Sequence, residues 1–176
     1  MTRAEAEERY RQRRRMAYDE TRDLFAELGE DVELSEITLL GAHAAMAAWQ
    51  DDPRRRVHWS WADLRAGFRH DPARFDLELR AKGTICAFAL GRPSASRSCC
   101  ALNYIEASPD AAHPLRGQVL GVVITALERY CIAIGAQTMR LVEPLPVLVP
   151  IYCDRYGFRL VELRGQVPYC EREVAL

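Results

Sequence analysis

The stretch from Cys99 to Leu163 constrains the fold of this 176-residue chain more than any other. At its centre Leu115, Val119, Val122, Val123, Ala126, Leu127, Tyr130 and Ile134 form one apolar stripe at helical spacing, closed by Gly135. Strand-like runs flank that helix, Cys99 to Ala107 before it and Met139 to Glu143 after it. Leu145 to Tyr156 then reads as a short proline-bearing helix. Gly157-Phe158 turns the chain into a strand from Arg159 to Leu163, and Val167 to Val174 is the last one.

Upstream, the period switches between helix and strand. Arg3 to Leu28 lacks Gly and Pro and carries i,i+4 pairs such as Glu5–Arg9 and Glu7–Arg11, which predicts a helix. Its second half has an apolar stripe (Ala17, Leu24, Phe25, Leu28). Its first half offers little beyond Ala6 and Tyr10, and is expected to project into solvent or meet a partner. Val32 to Thr38 reads as a strand, Ala42 to Gln50 as a helix, and Ser60 as the N-cap of another helix ending near Arg69. Phe75, Leu77 and Leu79 alternate with Asp76, Glu78 and Arg80, the mark of a half-buried strand. After the Ala81-Lys82-Gly83 turn comes Ile85 to Leu90, then a loop from Gly91 to Ser98. With Cys99 to Ala107 these strands predict an antiparallel meander.

Composition removes whole classes of function. With 49% apolar and 28% charged residues the chain has ordinary globular character, and its length supports a core without staples. The 24 basic and 25 acidic residues nearly cancel, so no global field draws in nucleic acid or an anionic membrane. The basic run Arg9 to Arg15 is followed by Asp19, Glu20 and Asp23 and reads as a solvated, salt-bridged helix face. No run nears the roughly 20 apolar residues of a membrane span, and the charged first 15 residues are unlike a secretory signal. The expectation is a cytoplasmic protein. Its six cysteines are scattered without a C-x-x-C pair and read as buried thiols, with no metal expected.

Two motifs stand out. Arg116-Gly117-Gln118-Val119-Leu120-Gly121 opens the long helix, and Tyr152-Cys153-Asp154-Arg155-Tyr156-Gly157-Phe158 ends the short one. A helix start presents unpaired N–H groups and about half a positive charge, a site suited to a diphosphate. Glycine lets the backbone approach phosphate closely, and an arginine adds a charge-assisted donor.

With these motifs the segment Cys99–Leu163 resembles the GNAT superfamily of acyl-CoA-dependent N-acetyltransferases. Family members carry R-G-x-G-x-G at the same helix start and a tyrosine shortly before a Gly-Phe pair. The resemblance implies an α+β, three-layer fold: a mixed, mostly antiparallel central sheet flanked by helices. Residues 31–176 would form the acyltransferase domain and residues 1–30 an N-terminal helical extension.

It implies acetyl-CoA as cosubstrate, contacted by Ala107, Ser108, Arg116, Gly117, Gln118, Val119, Gly121 and Val122, and an amine acceptor attacking the thioester directly. Tyr152 matches the family's acid for the departing thiolate. Glu106, near the end of its strand and on one face with Tyr104, is the candidate base, with Glu143 behind it. The chain also departs from the pattern. Val119 replaces the middle glycine, and Leu145-Pro146-Val147 stands where members usually have an asparagine. Those departures motivate an alternative: a degenerate GNAT-fold module that binds a protein partner, or a second copy, through residues 3–28.

Overall fold

A computed structural model describes residues 2–175. The helices are α1 (Arg3–Glu27), α2 (Leu39–Trp49), α3 (Trp61–Phe68), α4 (Val119–Ile134) and α5 (Val149–Tyr156). The strands are β1 (Glu33–Ser35), β2 (Phe75–Ala81), β3 (Thr84–Pro93), β4 (Cys99–Ala107), β5 (Thr138–Val142), β6 (Arg159–Val161) and β7 (Tyr169–Glu173). They form one seven-stranded sheet in the order β1-β2-β3-β4-β5-β7-β6. Only β4 and β5 run parallel, and α4 makes the crossover that a parallel pair requires. The sheet is therefore mixed and mostly antiparallel, with a helix layer on each face.

Strand alternation builds the two cores. Phe75, Leu77 and Leu79 of β2 and Ala87 and Ala89 of β3 pack with α1 and α4. Phe88 and Leu90 face the opposite way, against Trp49 of α2 and Trp61 and Phe68 of α3. The half-buried reading of β2 needs correction, because Asp76 and Glu78 are each 2% exposed. The chain around the start of α2 covers them and supplies donors. Ile37 N–H donates to Asp76, and the Thr38 N–H and hydroxyl donate to Glu78 at 3.0 and 3.1 Å.

The first half of α1 does not project. Tyr10 is 1% exposed and Arg14 is fully buried. Arg14 donates to Glu36 and to the carbonyls of Pro72 and Arg74, and pairs with Glu7. Tyr10, Ala17 and Tyr18 belong to the same core as α4. β3 also runs three residues past the expected Leu90, because Gly91, Arg92 and Pro93 pair with β4. Pro150 falls in the first turn of α5, where its missing N–H breaks no helical bond.

Among the described residues no helix is long and apolar enough to cross a membrane, and no three potential metal ligands cluster. Cys153 is half-buried and the other five cysteines are buried, all as free thiols.

Candidate active site

The site begins where two strands part. β4 pairs with β5 only from Cys99 to Leu102, opposite Thr138 to Leu141. At that point β4 also bulges: Leu90 faces Tyr104 and Gly91 faces Leu102, leaving Asn103 as the extra residue. Beyond the bulge β4 runs on to Ala107 without β5 beside it. The Asn103 side-chain oxygen is buried there and unpartnered.

A cleft of about 340 Å³ lies next to this opening. Ile105 and Ala107 of β4 form one wall, and Gly117, Val119 and Leu120 at the start of α4 form another. The third wall is α5, with Ile151, Tyr152, Arg155 and Tyr156. Tyr152 and Tyr156 are four positions apart, so a helix sets them on one face. His113, from the loop before α4, completes the lining.

Tyr152 is 4% exposed and stacks edge-on against Phe158. Burial pushes its phenol up to about 12, so it keeps its proton at neutral pH. Gly117 has φ +79°, a conformation glycine adopts without strain. Gly121 is different: a Cβ there would meet only the Tyr156 hydroxyl, at 3.5 Å. The chain's own packing does not demand glycine at 121. The N–H groups of Leu120 and Gly121 lie in the first turn of α4, where no preceding carbonyl is in place to accept them.

The remaining expected contacts divide. The Val119 side chain belongs to the core, and its N–H donates to the Leu115 carbonyl at 3.2 Å, so it forms wall rather than donor. Gln118 turns away: its N–H donates to Leu115 and its side chain to Glu30 at 2.9 Å. Val122 is fully buried, so its side chain cannot reach a ligand. Arg116 is exposed and donates to the Ala111 carbonyl. Ser108 faces a neighbouring cavity with Trp49 and Arg54, and its hydroxyl accepts from Asp110 N–H.

Glu106 is not where a free base would be. It points to the α2–α3 face and is 6% exposed. Arg55 Nε donates to one oxygen at 2.5 Å, while a second Arg55 nitrogen at 3.1 Å and Trp61 Nε1 at 2.6 Å donate to the other. Both oxygens are engaged, so the candidate base is a buried ion pair. Glu143, at φ +49°, is exposed and does not line the cleft. Sequence reasoning missed Arg155 and Tyr156, although their helical spacing from Tyr152 was available. His113, from the loop before α4, is 6% exposed.

Solved structures share this fold. Ard1 from Thermoplasma volcanium superposes with a TM-score of 0.60 at 14% identity, over 82% of this chain and 99% of that one. The ribosomal-protein-S18-alanine N-acetyltransferase from Escherichia coli gives 0.56 at 17% identity, over 82% and 95%. The PaiA N-acetyltransferase from Thermoplasma acidophilum, solved in complex with coenzyme A, gives 0.55 at 14%, over 81% and 99%. This chain has the GNAT fold. No family model and no curated protein matches the chain. At these identities the likeness concerns the fold. Within the GNAT fold, the cleft beside the β4 opening is bounded by the two sequence motifs.

Proposed function

We propose that this chain is an N-acetyltransferase that moves an acetyl group from acetyl-CoA to an amine. The observation that carries the reading is the cleft itself. The protonated Tyr152 phenol, the start of α4 and the unpaired end of β4 converge on it. The solved structure of PaiA in complex with coenzyme A, on the same fold, supports the reading. The lining is compatible with such a ligand, since a Cβ at Gly121 would meet only the Tyr156 hydroxyl, itself on the cleft wall, at 3.5 Å.

In this reading the diphosphate lies against the start of α4, drawn by first-turn N–H groups and the positive helix end. Acetyl-CoA supplies the thioester, and its pantetheine arm follows the exposed edge of β4. The amine nitrogen attacks the thioester carbonyl, the C–N bond forms, and the C–S bond breaks. Tyr152 Oη gives its proton to the departing sulfur. Glu106 is already saturated, so the amine's own proton passes to water.

Acetyl-CoA should raise the melting temperature, and a panel of amines should release CoA thiol with at least one member. No stabilisation by acetyl-CoA together with no thiol release would overturn the proposal.

A further inference from the structure

We propose that a second pocket, between α3 and Tyr104 of β4, seats the amine acceptor, and that this acceptor carries an aromatic ring. The assignment rests on the acetyl-transfer reading above and names its substrate class. The pocket holds about 450 Å³ and is lined by Trp59, Asp63, Phe68, Arg92 and Tyr104, among others. It lies on the α2–α3 face of the sheet, whereas Ile105 and Ala107 of the same strand face the Tyr152 cleft. The bulge at Asn103 sets this up. Leu102 packs into the α4 core, but Tyr104, two positions on, packs with α2 and α3. β5 pairs with β4 no further than Leu102, so past that point no strand closes the sheet on the β5 side. Tyr104 therefore has its ring on the pocket wall and its backbone in the open stretch of β4.

Three rings give the pocket its chemistry. Tyr104 meets Trp59 edge-on at 5.1 Å and Phe68 edge-on at 6.0 Å between ring centroids. Trp61 and Phe88 in the adjoining core are fully buried, but Trp59 and Tyr104 are only half-buried and keep surface for a ligand. A ring that enters can stack or pack edge-on with them, which is worth more than its apolar area alone. The wall is also fixed in advance. Arg55 donates to both oxygens of Glu106 on β4 and, at 2.8 Å, to the Trp59 carbonyl, tying the segment that carries Trp59 to the strand. A cation is a poorer match than a ring. The Arg92 guanidinium already lies over the Phe68 ring at 4.1 Å, and a second cation beside it would be repelled. Of the side chains permanently charged at neutral pH, the lining has one of each sign, Arg92 and Asp63, so no net field selects an ion.

Phenethylamine and its cyclohexyl analogue test this, since they carry the same amine on rings of similar size and only one ring is aromatic. In thiol release from acetyl-CoA, wild type should show a kcat/KM about two- to tenfold higher for phenethylamine, the range of an aromatic pair beyond its area burial. The difference should lie in KM, and calorimetry of both amines on the CoA complex should give the same ratio in Kd. W59L should erase the preference, whereas W59F keeps a ring at that position and should retain most of it. A melting temperature of W59L that still rises with acetyl-CoA shows that the Tyr152 cleft is intact. If W59L fails to fold, Y104L takes its place with the same expectation. Wild type that turns over amines but phenethylamine no better than the cyclohexyl compound overturns this assignment alone. A folded leucine variant that keeps the preference does the same. Wild type that is not stabilised by acetyl-CoA and releases thiol with no amine overturns the functional reading, and this assignment with it.

Discussion

Glu106 shows how one residue's role turns on its partners. By position on β4 it is a candidate base, yet Arg55 and Trp61 occupy both its oxygens. Arg55 is itself 8% exposed, so removing the carboxylate charge leaves a guanidinium buried and uncompensated. E106Q should therefore lower stability by about 3–5 kcal/mol, read as a fall in urea midpoint. A variant as stable as wild type but without activity would restore Glu106 as the base. Tyr152 carries the opposite expectation. Y152F should lower kcat about a hundredfold or more, the low end for a lost general acid, with the Kd for acetyl-CoA little changed. Because burial pushes this phenol up to about 12, kcat should not decline through Tyr152 as pH rises to about 10. A decline there that Y152F abolished would contradict the assignment.

At the scale of elements, the β4 bulge opens the site. Alternation marked Tyr104 and Glu106 as one face of the strand, and both do face α2 and α3. The extra residue at Asn103 carries no local signal, because the register with β3 defines it. Gly91 sits on the partner strand at that point, and a Cβ there would collide with the Ala101 carbonyl oxygen. Backbone cannot move aside as a side chain tip can. G91A should cost about 3 kcal/mol, near the upper end for overpacking, and weaken the strand pairing that shapes the cleft. Thermal unfolding measures the first effect and acetyl-CoA affinity the second. Pro93 and the serines after it are turn formers and predict a loop from Gly91, yet β3 extends through it.

Over the whole molecule, α1 closes the core against α4. Without it the core that Tyr10, Ala17 and Tyr18 cover would be bare, and the carbonyls of Pro72 and Arg74 would lose their Arg14 donor. Deleting residues 1–28 should abolish cooperative unfolding or render the protein insoluble. A stable, well-folded remainder would make α1 a separable arm. What the sequence by itself determined was local: the stripe of α4, the turn at Gly117, the strand alternation, and the order of the elements. Each follows from the backbone period or a residue's own conformational range, which neighbours in the chain reveal. Only the tertiary structure decided that Glu106 is paired, that Arg14 is buried, and that His113 faces a cleft. Glu106 and Arg55 lie 51 positions apart, and Arg14 reaches carbonyls 58 and 60 positions away. Desolvation and pairing depend on which distant segments the fold brings together, and no local pattern encodes that.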